Sequence, residues 1–170
     1  MKYIFVDGYN VIHSWPELKT TKDYSFESAR SKLVEMLNNY AAYNDYRVFI
    51  IFDAHLVKGS LEKQDKVGEH LTVVFTKEGE TADAFIERSM DSVGRKAEVS
   101  VVTSDSLEQQ LIFQRGAVRI SSIEFYHDIK DAENKIKGNI EKEYTHNKHI
   151  LEDVVDREVL EKLEKIRRSR

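Results

Sequence analysis

Up to about residue 120, short apolar runs alternate with segments of helical periodicity. Lys2 to Val6 reads as a buried strand. Arg47 to Phe52 reads as a second, continuously apolar in the way of a strand covered on both faces. Leu71 to Phe75, with alternation, Val99 to Val102 and the short Ala117 to Ile120 supply three more. Phe26 to Tyr43 places Phe26, Ala29, Leu33, Leu37 and Tyr40 at helical spacing behind a Ser25 cap. Thr81 to Ser92 sets Ala82, Phe85, Ile86 and Met90 on one side, and Asp105 opens a helix to Gln114 that Gly116 stops. Two stretches lack a period: His13 to Tyr24, holding the only proline, Pro16, reads as a polar loop, and His55 to His70 as a long connection. From Ser122 onward the pattern is helical and charge-balanced. This order predicts a three-layer α/β/α sandwich on a mainly parallel five-stranded sheet with right-handed crossovers. A single domain over 1–170, with 122–170 as a helical extension, is the expected organisation.

At 170 residues and 41% hydrophobic, the chain can bury the core of one domain but not of two. The absence of cysteine excludes a disulfide framework, a thiol nucleophile and a thiolate zinc site, and favours a reducing compartment, here the cytoplasm. The first strand follows Met1 without a basic region and apolar core of the secretory kind, and no apolar run is of membrane-spanning length, so no membrane partner is expected. A net charge of -4 argues against coating nucleic acid by bulk positive charge, though it leaves room for a local basic rim. A Gly-rich phosphate loop after the first strand and a Gly-x-Ser-x-Gly elbow are both missing, which sets aside a dinucleotide-binding domain and a serine hydrolase. The first strand ends in Asp-Gly-Tyr-Asn rather than Asp-x-Asp, which disfavours a small-molecule phosphohydrolase.

Three apolar runs end in aspartate: Tyr3-Ile-Phe-Val-Asp7-Gly-Tyr-Asn10, Val48-Phe-Ile-Ile-Phe-Asp53 and Val99-Ser-Val-Val-Thr-Ser-Asp105. In an open parallel sheet the loops after the strands gather at one edge, so such carboxylates can share a pocket. Any one of them alone reads more simply as a turn or a helix cap. Together with Glu80 and Asp83 they point to a divalent-cation site. Asp7, Asp83 and Asp105 are the candidate metal ligands and, with Asn10, the candidate catalytic residues. Asn10 offers an amide to a phosphate or a bound water, or else stabilises a turn. Asp53, Glu80, Thr81, Thr103 and Ser104 are supporting candidates. Thr81 also reads as a plain helix cap, and Asp83 as a carboxylate on that helix's dipole. Phosphodiester hydrolysis needs an activated water and a neutralised phosphate, and Mg2+ or Mn2+ on hard oxygen ligands supplies both. For RNA contacts the candidates are Lys58, Lys63, Lys66, Arg88, Arg95 and Lys96, with Trp15, Tyr9 and Tyr24 placed near the first motif to stack on unpaired bases or simply to pack.

Taken in order, Phe5-Val-Asp7-Gly-Tyr-Asn10-Val-Ile, then Glu80-Thr81-Ala82-Asp83 with Ile86-Glu87, then Val102-Thr103-Ser104-Asp105 closely resemble the YacP-like branch of the NYN domains, within the PIN-like nuclease fold. The motifs are short singly and specific as an ordered set, and the resemblance runs from residue 1 to about residue 125. It implies a metal-dependent ribonuclease with Asp7, Asn10, Asp83 and Asp105 at the matched positions, and a sheet in which the first and fourth predicted strands are neighbours. Bacterial members of this branch look like ribosome-associated endoribonucleases that cut messenger RNA in the A site, so mRNA and the ribosome are the implied partners. Free RNA is then expected to be a poor substrate. A PIN-like module that binds RNA or a ribosome without cutting is the rival, and it predicts that Asp7→Asn or Asp83→Asn leaves the biological effect intact.

Overall fold

The strand Lys2–Asp7 (β1) buries Ile4, Phe5 and Val6 and carries a parallel neighbour on each edge. A computed structural model describes it within residues 1–54, 61–93, 97–104 and 116–154, with the backbone alone over 145–154, together with 159, 162, 165 and 168. The neighbours are Arg47–Phe52 (β2) and, on the far side, Glu98–Val102 (β5). Beyond β2 lie Leu71–Phe75 (β4), parallel to it, and then Lys63–Val67 (β3), antiparallel. Beyond β5 lies the short Val118–Ile120 (β6), giving the order β3-β4-β2-β1-β5-β6.

The sheet therefore has six strands rather than five. β3 reads Lys-Gln-Asp-Lys-Val and has no apolar face to announce it. It is recruited by hairpin pairing with β4 across a turn that Gly68 enters at φ 72. As the resemblance implied, β1 and the strand from Val99 to Val102 are neighbours.

Helices cover both faces of the sheet. Gly8–Ser14 (α1), Pro16–Tyr24 (α2) and Phe26–Asn44 (α3) pack their buried residues Val11, Ile12, Leu18, Leu33 and Leu37 with Ile4, Val6 and Ile50 of the sheet. Ala82–Val93 (α4) buries Ala82, Phe85 and Ile86 against Phe5, Ile51, Val74 and Val101 on the other face. Ser25 caps α3 as expected, accepting from the Ser28 amide at 3.3 Å. The last described helix, Ser122–Val154 (α5), starts on a capping box. In it Ser121 Oγ accepts from the Glu124 amide at 3.2 Å, and the Glu124 carboxylate accepts from the Ser121 amide at 2.9 Å. Phe125, Ile129 and Ala132 carry the start of α5 into the α1–α3 side of the core. Met1–Ala132 is one compact unit and Glu133–Arg170 a second.

The stretch His13 to Tyr24 is not a loop. Pro16 stands at the first position of α2, where its missing N–H is no loss. The helical period is hard to read because the two helices break at Trp15 and α2 buries only Leu18. Trp15 is wholly buried. Its Nε1 donates to the Ser122 carbonyl at 2.7 Å, and its ring lies 5.3 Å from that of Tyr126 and 6.0 Å from that of Phe125. It pins the α1/α2 junction to α5, and its ring is not available to stack on a base.

Gly8, immediately after Asp7, lets the start of α1 rest on Phe52: a Cβ there would come within 2.4 Å of the Phe52 ring. Gly8→Ala is expected to destabilise the fold by about 1–3 kcal/mol through overpacking. Urea unfolding checks this, and combining Gly8→Ala with Phe52→Leu, which opens room at the contact, should give a loss smaller than the sum of the two single losses.

Candidate active site

The carboxyl ends of β1, β2, β4 and β5 share one edge of the sheet, and β1 lies where the connections turn from one side to the other. Asp7 ends β1, is half-buried, and caps α1 by accepting from the Asn10 amide at 3.0 Å. Asp53 follows Phe52 at the end of β2. The backbone on both sides of it is held by the wholly buried Thr76, whose amide donates to the Phe52 carbonyl at 3.1 Å and whose Oγ1 accepts from the Ala54 amide at 2.9 Å. Asp83 is exposed in the first turn of α4, capped by Thr81 Oγ1, which accepts from the Ala84 amide at 3.3 Å. Thr103 follows Val102, the register partner of Val6, so it stands level with Asp7; it is wholly buried and donates its amide to the Ile120 carbonyl at 3.2 Å. Ser104 is exposed. Asp105, Lys58, Arg95 and Lys96 lie outside the described residues.

These positions interact electrostatically. Burial pushes the Asp7 carboxyl up from the usual 3.8 to about 6; the Asn10 amide opposes this, the negative charges of Asp83 and then Asp53 add to it, and the Tyr9 amide opposes it again. Asn10 Oδ1, close by, is buried and has no hydrogen-bond partner among the described residues. Glu80 is occupied otherwise: Arg88 Nε donates to its Oε1 at 3.1 Å, while Arg88 Nη2 donates to Glu62 at 2.8 Å. That network ties the turn before α4 to the approach to β3.

The Asp7 carboxylate, within reach of the charges of Asp83 and Asp53, and an amide oxygen without a partner among the described residues suit a cation of the magnesium class. Among the described residues no three acidic or histidine side chains close into a ready-made cage. An ion of the magnesium class keeps several of its own waters and needs only one or two carboxylates from the protein.

Of the described candidates for RNA contact, Arg88 is taken by Glu80 and Glu62, and Lys63 pairs with Asp65 at 2.7 Å. Lys66 lies opposite Thr72, further from the carboxylate edge than Lys63, which lies opposite Phe75. Sequence reasoning passed over Thr76, for which the available signal was a hydroxyl directly after an apolar strand. Gly8 reads from the sequence as a turn glycine, whereas it opens α1 against the Phe52 ring.

Residues 4–168 match the model of the YacP-like NYN domain. The chain belongs to the YacP-like NYN domain family. It is 41% identical to the uncharacterized protein YacP of Bacillus subtilis (strain 168) over 170 residues, covering 99% of this chain and 98% of that one. The crystal structure of Rae1 (YacP) from Bacillus subtilis superposes with a TM-score of 0.75 at 38% identity, covering 99% of this chain and 95% of the other. A mutant of the same protein gives 0.73 at 36% identity over 85% of each chain. The architecture is thus a PIN-like α/β fold in a nuclease-type family, with Asp7 at the end of the central strand of the NYN domain. No helix among the described residues is long and apolar enough to cross a membrane.

The raised Asp7 carboxyl makes a prediction for the metal-free protein. The folded state holds this proton more tightly than the unfolded chain, so the stability it contributes is full below about pH 3.8 and is lost as pH rises through about 6. Near pH 7.5 in EDTA, Asp7→Asn, which keeps a good cap, should be more stable than the native protein by roughly 2–3 kcal/mol. The difference should vanish near pH 4, as followed by thermal melting across pH.

Proposed function

We propose that the protein is a metal-dependent endoribonuclease that hydrolyses phosphodiester bonds of mRNA in association with the ribosome, in the cytoplasm. The observation that carries this reading is the burial of the Asp7 carboxylate with the charges of Asp83 and Asp53 beside it, opposed by the amides of Asn10 and Tyr9. Such an arrangement is unfavourable for an empty fold and suited to a site that gathers positive charge.

When bound, Mg2+ or Mn2+ supplies a water of lowered pKa and neutralises phosphate charge. Asp7 and Asp83 would hold it, joined by Asp105 through the family motif. Asn10 Oδ1, buried and without a partner among the described residues, is an acceptor for a group carried into the site. The N-terminal end of α4 favours an anion in the first turn, where Asp83 sits. Thr76 and Thr103 fix the backbones that carry Asp53 and lead to Asp105. The Glu80–Arg88 pair steadies the turn that delivers Asp83. The ribosomal part of the reading rests on the family resemblance and on a net charge of -4, which leaves little general field to hold naked RNA.

The test is cleavage of a translated mRNA, with and without ribosomes and with Mg2+, Mn2+ or EDTA. Cutting that needs both metal and ribosomes, and that falls at least a hundredfold in Asp7→Asn and Asp83→Asn, is the expected result. The rival outcome is a PIN-like module that binds RNA or a ribosome without cutting. Binding by native protein and Asp7→Asn alike, with no cleavage by either, would establish that reading instead.

A further inference from the structure

A line of aromatic rings leads away from the carboxylate edge on the α1–α3 face. Phe75 and Phe52 stack with centroids 5.5 Å apart, and Phe52 meets Tyr9 edge-on at 5.2 Å. Tyr9 meets Phe26 at 6.1 Å, and Phe26 meets His13 at 5.9 Å. The inner end is tied to the site, since the Tyr9 amide acts on the Asp7 carboxylate and Phe52 directly precedes Asp53. The outer end is open: Phe26 is 44% exposed and Tyr24, two residues earlier, 88%.

Cations flank the line. The Arg30 guanidinium lies 5.9 Å from the Phe52 ring and 5.8 Å from that of Phe75. Lys22 Nζ lies 5.9 Å from the Phe26 ring and donates to His13 Nδ1 at 3.0 Å. Neither cation pairs with a carboxylate among the described residues, although the chain holds 30 acids against 26 Lys and Arg. Around His13 the cations are felt: after partial burial, Lys22 and Lys19 hold its imidazole below its ordinary range. Phe52 belongs to the core, with Tyr9 and Phe75 packed against it, but Phe26 does not: the buried stripe of α3 begins at Ala29, and Phe26 stands at its solvent end.

Flat exposed rings next to unpaired cations complement unpaired bases joined by phosphates. We propose that this ledge holds the single-stranded RNA beside the scissile bond: a base stacks on Phe26, Tyr24 supplies a second plate, and Lys22 and Arg30 take adjoining phosphates. The word scissile rests on the nuclease reading; the ledge binds RNA whether or not the site cuts. Duplex RNA hides its base faces and is a poor ligand for it.

The test is fluorescence anisotropy with a short labelled oligoribonucleotide of mixed sequence in EDTA, so that binding is read apart from cleavage. Phe26→Ala and Tyr24→Ala should each weaken binding roughly fivefold or more, with Phe26→Tyr retaining it. Lys22→Ala and Arg30→Ala should each lower the slope of log affinity against log salt by about one. Tyr24 is almost fully exposed, so its variant separates loss of binding from loss of fold. Native-like binding by Phe26→Ala and Tyr24→Ala, equal binding of duplex, or no oligonucleotide binding by the native protein overturns the proposal. The two readings fail separately. A native protein that binds through Phe26 and never cuts keeps the ledge and loses the nuclease. One that cuts translated mRNA equally well with Phe26→Ala, and binds as before, keeps the nuclease and loses the ledge.

Discussion

β1 is enclosed on four sides: a hydrogen-bonded parallel strand on each edge, α1–α3 over Ile4 and Val6, and α4 over Phe5. β2, beside it at the centre of the order, is enclosed in the same way, with Val48, Ile50 and Phe52 in one half of the core and Ile51 in the other. A chain leaving such a strand has little freedom in where its next residue points. In β1 Asp7 is that residue, and its half-burial follows from the enclosure. The close seat of Gly8 on Phe52 then determines where α1 begins, and with it the Asn10 amide that holds the Asp7 carboxylate.

The neighbouring parts of the edge are stiffened by contacts that need no ligand. Thr76 clamps the chain around Asp53 from the next strand, and Glu80, Arg88 and Glu62 brace the turn into α4. Like charges are thereby held near one another by backbone bonds and a separate ion-pair network. Rigid support of this kind is what positioned chemistry requires, and it explains how the fold tolerates a carboxyl displaced from its usual range.

Much of this architecture was legible from periodicity, because β1, β2, β4, α3 and α4 each carry apolar residues at the spacing their geometry demands. β3 was not, since a polar edge strand is specified by its hairpin partner and leaves no pattern in its own residues. α1 and α2 were hidden by their shortness and by the break at Trp15 and Pro16. Trp15 itself shows the limit of reading side chains without a fold: proximity in sequence to Asp7 left it between stacking on a base and packing, and a partner 107 residues away, Ser122, holds it inside. That Asp7 and Asp53 share an edge could be anticipated from strand ends; Asp83, in the first turn of α4, joins them from a helix. Which cations around them were already engaged could not be anticipated, because the partners of Arg88 come from two separate loops.

The two borders of the sheet also differ from its interior in a way that bears on life among other chains. β6 is only three residues long, and β3 presents Lys63, Gln64 and Lys66 to solvent. A bare strand edge is a template on which an unfolded neighbour can add its own backbone. Here one border is too short to template much pairing and the other is lined with charge, so extended segments of foreign polypeptide find no inviting surface on which to extend the sheet. The fold keeps its β-structure to itself.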